Sequence, residues 1–301
     1  MPRSLHCEGV SCLVCPLLSY AGVARVTANR FCPGYCPIPF ERQLPYAVGR
    51  QHDTPMTYHP YFIEGAARDS RWLITCDHAA NTVPPDTNGG TLGLPPEDMS
   101  RHIAYDPGAK GVALGLGELF NAPVILSNFS RLVIDPNRGE DDPTLLMKLY
   151  DGSIIPGNRH ADAAEVERRL THYYRPYHAA LADLAARRDD TVICSIHSYT
   201  RQLRGRDPRP WHVGILHGFD TRLADPLIAR LEAEPDLCVG RNEPYGGHLP
   251  GDAIARHALA EGRPNVLIEL RNDLIETVEQ QRAWAERLAP MLDAALADAQ
   301  V

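Results

Sequence analysis

The sequence predicts an α/β fold in three layers, with a mixed, mostly parallel central sheet and helices on both faces. Two observations support this prediction. Strand-like and helix-like segments alternate from residue 56 onwards, a pattern typical of a sheet whose strands are joined by helical crossovers. The apolar runs at residues 72–76 and 192–196 contain few polar side chains, as expected for strands that helices cover on both sides.

Length and composition limit the functional classes. The 301 residues suffice for one large domain or two modest ones with a sizeable core. The formal net charge of -8 disfavours nonspecific binding to nucleic acid or to an acidic membrane surface. No apolar stretch is long enough to span a bilayer. The partner that fits is a small molecule, and the sequence carries no signal for an oligomeric state.

Residues 1–55 differ from the rest, because they are rich in proline and contain five of the eight cysteines. We interpret them as a poorly ordered leader, or as an extension upstream of a start at Met56. A zinc knuckle built from Cys12, Cys15, Cys32 and Cys36 is the alternative. The other three cysteines lie in or beside predicted strands, which favours a reducing cytoplasm. Residues 56–301 are predicted to form the catalytic domain.

The first half of this domain is predicted to contain two clear strands and one helix. Small residues after Gly108 indicate a helix from about residue 109 to 120, and prolines and glycines mark a loop at 84–96. The predicted strands are 72–76 and 123–127, followed by a second extended run at 131–135 and a turn-rich loop at 135–143.

The second half begins with the longest helical pattern, residues 161–188, which Pro176 should bend or divide. Strands and helices then alternate to the end of the chain. The predicted strands are 191–196, 212–217, 237–239 and 265–270, and the predicted helices are 221–232, 251–261 and 274–297.

Two histidines stand where buried strands end. His78 follows the run at 72–76, and His197 follows the run at 192–196. Because neutral imidazole is a preferred zinc ligand, we expect both to bind one zinc ion. The third ligand is either Asn81, three residues after His78, or Asp106, whose alternative role is to cap the helix that follows it. Asp77 could orient His78 from behind.

A carboxylate and several arginines accompany the histidines. Strand alternation places Glu269 and Arg271 on one face of the strand at 265–270. Beside a zinc ion, Glu269 could act as a general base, and a structural ion pair with an arginine is the alternative. Arg131 and Arg138 suit recognition of carboxylates or stabilisation of an oxyanion. Together they favour a small anionic substrate.

Other catalytic motifs are absent from the sequence. It contains no glycine-rich dinucleotide fingerprint, no phosphate-binding loop and no nucleophile elbow of the G-x-S-x-G type. These absences disfavour a nucleotide-dependent enzyme and a serine hydrolase of the α/β-hydrolase type.

Five sequence blocks follow one another in a characteristic order. They are CDHAANTVP at 76–84, HIAYDPGA at 102–109, SRLVIDPNR at 130–138, SIHSYT at 195–200 and IELRNDLI at 268–275. In this order they resemble the N-formylglutamate amidohydrolase family, and the resemblance covers roughly residues 58–295. It implies a zinc-carboxypeptidase-like (phosphorylase/hydrolase-like) fold and the release of formate from N-formyl-L-glutamate, a late step of histidine breakdown.

The resemblance also implies residue roles. Carboxypeptidase-like relatives bind zinc through His-x-x-Glu and a later histidine, and they use a strand glutamate as base. His78 and His197 match the two histidines, and Glu269 matches the base. Asn81 stands where those relatives have a ligand glutamate, so the chain departs from their pattern at that position. Asn137, Arg138 and Arg271 are expected to bind the substrate.

Two alternatives to this function remain open at the level of the sequence. The first is hydrolysis of another N-acyl amino acid or a short peptide, because the size of the acyl pocket is not encoded in a motif. The second is a noncatalytic homologue that binds an acyl amino acid and has lost the metal, which the asparagine at position 81 could indicate.

Overall fold

The structure is a computed structural model that describes residues 58–247 and 249–301. The predicted leader at 1–55, with its zinc-knuckle alternative, and His248 lie outside the described residues. None of the described helices combines the length and apolar character that a membrane crossing requires.

Seven strands form the main sheet, and two very short strands form a hairpin. The strands are β1 (Tyr61–Glu64), β2 (Trp72–Cys76), β3 (Val124–Ser127), β4 (Leu149–Tyr150), β5 (Ser153–Ile154), β6 (Val192–Tyr199), β7 (Val213–Leu216), β8 (Val239–Arg241) and β9 (Asn265–Arg271). The α-helices are α1 (Pro96–Met99), α2 (Ala109–Leu119), α3 (Ala163–Arg169), α4 (Arg175–Ala185), α5 (Ala224–Glu232), α6 (Ala253–His257) and α7 (Val278–Asp298).

The main sheet has the strand order β1-β3-β2-β6-β9-β7-β8. The four central strands β3, β2, β6 and β9 are parallel to one another, whereas β1 and β7 run antiparallel to their neighbours β3 and β9. The carboxyl ends of β2, β6 and β9 therefore meet at one edge of the sheet, the usual place for a ligand in an open α/β fold.

Helices cover both faces of this sheet. Helices α2, α5 and α7 pack on one face around side chains such as Ile74, Ile196 and Ile268. On the other face, Tyr173, Tyr177 and neighbouring side chains of the helical region around α4 pack on Ile193 and Leu267. All residues of β2, β6 and β9 are buried. The predicted three-layer α/β fold with a mixed, mostly parallel sheet is confirmed.

The predicted break in the long helix is also confirmed. A π-helical turn at Leu170–Tyr174 separates α3 from α4, and Pro176 lies in the first turn of α4. Proline has no backbone N–H, and in the first turn of a helix that N–H would have no intrahelical partner. The change from π-helical to α-helical hydrogen bonding at this point therefore costs little free energy. Tyr173 and Tyr174 are consequently both buried against the sheet.

The extended run predicted at 131–135 is wrong, because residues 131–133 form a turn and residues 134 and 135 belong to no strand. The Val133 N–H donates to the Ser130 carbonyl at 2.8 Å, and the Leu132 N–H donates to Ser130 Oγ at 3.2 Å. The apolar side chains of residues 132–134 are buried in the core between the sheet and the helical region around α4, although their backbone forms no strand. In a short apolar run, the spacing of apolar residues along the sequence cannot distinguish an extended strand from a turn.

Candidate active site

His78, Asp106 and His197 form a buried cluster at the carboxyl edge of the sheet. The candidate ligand atoms of these three residues all lie within 4.8 Å of one another. Asp106 Oδ2 lies 3.2 Å from His78 Nδ1, 2.9 Å from His197 Nδ1 and 3.2 Å from the Ser198 N–H. One carboxylate oxygen and two ring nitrogens therefore face a common point.

The opposite nitrogen of each ring is directed at another buried carboxylate. His78 Nε2 lies 2.7 Å from Asp135 Oδ1. His197 Nε2 lies 3.3 Å from Asp77 Oδ2 and 3.1 Å from Ser195 Oγ. The sequence suggested that Asp77 orients His78, but Asp77 contacts His197 instead. The carboxylate behind His78 is that of Asp135. With a cation at the point that both Nδ1 atoms face, this arrangement would keep the protons on both Nε2 atoms and leave the Nδ1 lone pairs free to bind the cation.

Asp135 and Asp77 are themselves held in place. Arg131 donates to Asp135 Oδ2 from Nε at 3.0 Å and from Nη2 at 2.7 Å. Tyr177 donates to Asp77 Oδ1 at 2.5 Å. Burial alone would raise the pKa of Asp135, but the charge of Arg131 outweighs it and holds that pKa well below the usual range. Both carboxylates are thus available as acceptors for the histidine rings.

The electrostatics of the cluster fit a cation at its centre. Burial acts to raise the pKa of Asp106, but His78 and His197 outweigh it and lower that pKa below its usual range. Burial acts to lower the pKa of His197, but hydrogen bonds to Asp106 and Asp77 raise it well above normal. Without a metal, a proton is retained between these groups. A divalent cation on the two Nδ1 atoms and Asp106 would replace that proton, and a donor set of two imidazoles and a carboxylate suits zinc.

Glu269 lies beside this cluster on the next strand. Its Cα pairs with that of His197 in the parallel register of β6 and β9. The side chain is 93% buried, and its Oε2 atom has no hydrogen-bond partner within the described residues. Burial raises the pKa of Glu269 to about 7. A carboxylate in this state can accept and release a proton near neutral pH.

A cavity of about 430 Å³ opens over the cluster and Glu269. Its polar lining includes Asp106, Arg131, Asn137, Arg138 and the two histidines, and its aromatic lining consists of Tyr150, Tyr199 and Tyr245. Leu216, Leu249 and Leu267 add an apolar part. The Cα atoms of Leu216 and Leu267 pair between β7 and β9. Leu267 lies two residues before Glu269 on β9, so the two side chains are neighbours on the same face of the sheet. The volume suits a small amino-acid derivative.

Gly214 makes room for the loop that covers this cavity. It faces Glu269 in the β7–β9 register. A Cβ atom at position 214 would lie 1.9 Å from the Glu243 carbonyl oxygen, far inside van der Waals contact. A glycine is therefore required for residues 243–247 to lie against the strand, and this placement brings Tyr245 to the cavity.

Residues 70–276 match the family described as N-formylglutamate amidohydrolase. The chain belongs to this family. It is 26% identical over 212 residues to an N-formylglutamate deformylase of Pseudomonas aeruginosa, covering 62% of this chain and 73% of that protein. The resemblance inferred from the five sequence blocks is confirmed.

Two solved structures are similar to this chain. A gene product of Agrobacterium tumefaciens is 38% identical, with a TM-score of 0.76, covering 80% of this chain and 96% of that one. An N-formylglutamate amidohydrolase of Ralstonia eutropha is 24% identical, with a TM-score of 0.60, covering 79% of this chain and 97% of that one. The second match shows a shared fold.

In this fold, most of the residues singled out in the sequence lie together around one cavity. Asn137 and Arg138 line the cavity, and Asn137 Oδ1 accepts from the Ala253 N–H at 3.2 Å at the start of α6. Arg138 donates to Thr144 Oγ1 at 3.1 Å and to the Asn137 carbonyl at 2.8 Å. The described part of the chain offers Arg138 no ion-pair partner.

Two predicted site residues lie elsewhere. Asn81 is exposed, and its amide donates to the Met99 carbonyl at 2.8 Å. It does not line the cavity. Arg271 also lies outside the lining, because its Nε pairs with Asp273 at 2.7 Å and its Nη1 donates to the carbonyls of Pro210 and Trp211 at 3.3 Å. The structure therefore places Asp106, and not Asn81, with the two histidines.

Several residues of the site were not identified from the sequence. They are Asp135, Ser195 and His102, together with Tyr150 and Tyr199 of the cavity. Asp135 and Tyr199 both lie within family blocks, at 130–138 and 195–200, and Asp135 directly follows a buried apolar run, so these two positions carried a detectable signal. Tyr150 comes from a segment distant in sequence from the histidines, and no local pattern marks it.

Proposed function

We propose that this protein is a metal-dependent amidohydrolase that cleaves N-formyl-L-glutamate to formate and L-glutamate, acting in histidine breakdown in the cytoplasm. The observation that carries the proposal is the proximity of the His78, Asp106 and His197 cluster to an unpartnered glutamate, Glu269, at a single cavity. The family match supports N-formylglutamate as the substrate.

His78, His197 and Asp106 would hold one zinc ion. When bound, the metal would polarise the formyl carbonyl and acidify the attacking water. Asp135 and Asp77 keep the two imidazole rings oriented through their Nε2 atoms. Asn81 is not required for this ligand set, because its amide is engaged with the Met99 carbonyl.

Glu269 would act as general base and then as general acid. Its raised pKa of about 7 allows a substantial ionised fraction at neutral pH. The carboxylate takes a proton from the attacking water as the new carbon–oxygen bond forms. It then delivers that proton to the departing nitrogen as the amide bond breaks, so that formate and the free amine leave.

The arginines have different parts in this proposal. Arg138, which makes no described ion pair, would bind a substrate carboxylate together with Asn137. Arg131 was predicted to stabilise an oxyanion, and that role stays a prediction. Its contacts favour holding Asp135 behind His78, because two of its nitrogens donate to that carboxylate.

The test is release of formate from N-formyl-L-glutamate by the zinc-loaded protein, with equimolar L-glutamate measured in parallel. Turnover that requires the metal supports the proposal. Absence of both products from the loaded protein, with metal content verified at one ion per chain, rejects the substrate assignment.

A second candidate is hydrolysis of an N-acyl amino acid with an apolar side chain. Leu216, Leu249 and Leu267 in the cavity lining favour it. Comparing N-formyl-L-leucine with N-formyl-L-glutamate at equal concentrations distinguishes the two candidates.

A further inference from the structure

The substrate of the proposed reaction carries two carboxylates, but the described residues of the cavity lining offer few free cations. Arg131 is paired with Asp135 at 2.7 Å. Burial lowers the pKa of His102 to about 4, so this residue is neutral at pH 7. Arg138 is left for one carboxylate. A second carboxylate taken out of bulk water without a cationic partner would cost substantial free energy.

Arg209 supplies an additional cation directly behind the cavity lining: it is not itself a lining residue, but it contacts two tyrosines that are. Its guanidinium carbon lies 5.5 Å from the ring centroid of Tyr199 and 5.0 Å from that of Tyr245. Its Nη1 donates to Tyr245 Oη at 3.1 Å and to the Thr200 carbonyl at 3.2 Å. Both tyrosines line the cavity. A guanidinium held on two aromatic rings and two oxygens has a fixed orientation.

The charge of Arg209 is not neutralised within the described part of the chain. No carboxylate there forms an ion pair with it, whereas the nearby Arg204 lies 3.6 Å from Asp98. Arg206, on the same loop, is exposed, and its guanidinium makes no aromatic contact among the described residues. Arg209 therefore differs from Arg204 in having no ion pair among the described residues, and from Arg206 in being held by two tyrosines of the cavity lining.

The position of Arg209 relative to the reacting groups follows from the strand register. Tyr199 lies two residues beyond His197 on β6 and therefore on the same face. Two residues of an extended strand span about 7 Å. Tyr199 therefore follows His197 along the face of the sheet that carries His197 and Glu269, and Arg209 lies against the Tyr199 ring.

We propose that Arg209, held by Tyr199 and Tyr245, binds the second carboxylate of a dicarboxylate N-acyl amino acid and makes the enzyme selective for glutamate over its uncharged analogues. This inference rests on the proposed function and deepens it. Arg138 takes one carboxylate, Arg209 takes the other, and the formyl group lies between them at Glu269.

The experiment compares N-formyl-L-glutamate with N-formyl-L-glutamine, which has nearly the same shape and lacks the side-chain charge. Arg209→Gln should lower kcat/KM for N-formyl-L-glutamate about ten- to a hundredfold, mainly through KM, since a hydrogen bond to a charged group is lost. For N-formyl-L-glutamine the change should stay within about twofold. Tyr245→Phe, which keeps the ring, should shift selectivity in the same direction by a smaller factor. Arg206→Gln is the matched control.

A binding measurement separates this inference from the proposed function. Glu269→Gln and the double variant Glu269→Gln/Arg209→Gln are titrated calorimetrically with N-formyl-L-glutamate, so no turnover is needed. Loss of affinity in the double variant supports the Arg209 subsite even if the parent protein releases no formate, in which case only the hydrolase assignment fails.

Three outcomes would overturn the subsite. One is an equal effect of Arg209→Gln on both formyl amino acids. Another is unchanged affinity in the double variant. The last is faster turnover of N-formyl-L-leucine than of N-formyl-L-glutamate by the parent protein, which would assign the side-chain position to Leu216 and Leu267. Each of them leaves metal-dependent amide hydrolysis intact if formate is released.

Discussion

His78 and Glu269 are buried ionisable side chains at the same edge of the sheet, yet their surroundings are opposite. Both ring nitrogens of His78 face carboxylates, at 3.2 Å and 2.7 Å. Glu269 Oε2 has no partner in the described part of the chain. The side chain that we propose as a metal ligand is held on two sides, whereas the side chain that we propose to exchange a proton is left open to the cavity.

The lack of a described hydrogen-bond partner for Glu269 Oε2 is reflected in the pKa of this carboxyl group. Burial raises the pKa of Glu269 to about 7, whereas burial at Asp135 is outweighed by the charge of Arg131. An unpaired buried carboxylate disfavours folding above its unfolded pKa, and proteins retain such groups mainly at functional sites. The unpartnered group is therefore the one whose replacement should affect chemistry most and structure least.

The largest expected effect comes from Glu269→Gln. Removing the proton acceptor should lower kcat for formate release by about 10²–10⁴-fold, the usual contribution of a general base. Bound metal should remain at the parental level, because the ligand cluster is untouched. Glu261→Gln, an exposed glutamate at the end of the 3-10 helix that follows α6, is the control. Parental kcat in Glu269→Gln would remove this residue from the mechanism.

The ligand cluster itself gives the next effect. Asp106→Asn keeps the shape but removes the charge that faces both Nδ1 atoms, so zinc affinity should fall by about a hundredfold or more. Competition with a chromogenic chelator measures it. Asn81→Ala should bind zinc like the parent, since that side chain is engaged with Met99. The reverse order of affinities would restore Asn81 as the third ligand.

Replacing Asp135, which contacts His78 from the side opposite Asp106, should lower zinc affinity less than replacing Asp106. Asp135→Asn weakens the hold on His78 Nε2 without removing a ligand, and zinc affinity should fall about 10- to 100-fold. The same chelator competition applies, with thermal unfolding recorded to verify the fold. Asp141→Asn, an exposed aspartate of the same loop, is the comparison. Equal zinc affinity for Asp135→Asn and the parent would show that ring orientation does not depend on Asp135.

The smallest effect is on stability and concerns a buried pair of histidines behind the cavity. His178 Nδ1 lies 2.8 Å from His257 Nε2, and His178 Nε2 lies 3.0 Å from the Pro136 carbonyl. Burial lowers the pKa of His178 to about 3 and of His257 to about 4. The unfolded chain binds these protons more readily, so the stability contribution is present above the unfolded value of 6.5 and is lost as pH falls towards 4 and 3.

Urea unfolding at pH 7.5 and pH 5 measures this loss. The parent should lose about 1–2 kcal/mol more than His257→Gln over that range, from the shift of a single histidine. His160→Gln, at an exposed position, should behave like the parent. Parallel pH dependence in all three proteins would mean that the buried pair does not titrate as described.

The sequence predicted residues of the candidate site where the signal was local. His78, His197 and Glu269 each stand at or near the end of a buried apolar run, and such ends converge wherever strands are parallel. Asp106 was found only as one of two alternatives, because its approach to the histidines depends on a loop. The Asp106 N–H donates to the His78 carbonyl at 3.0 Å, a contact that spans 28 residues.

The failures have physical causes. Residues 131–135 were assigned an extended conformation from apolar character alone, yet Ser130 organises a turn there. Arg271 was expected to follow Glu269 into the cavity, but Asp273 and two backbone carbonyls hold its guanidinium elsewhere. Arg209 and Tyr245 meet across 36 residues through loop geometry that no periodicity encodes.

Gly214 sets a boundary for protein engineering of this enzyme. Any side chain at that position would displace the Glu243 carbonyl and with it the loop that brings Tyr245 to the cavity. Mutagenesis libraries that aim at new substrates should therefore leave codon 214 unchanged and vary Leu216 and Leu249, which line the cavity but do not face the loop backbone in this way. The tolerance of the scaffold to new specificities would then depend on a residue that never touches the substrate.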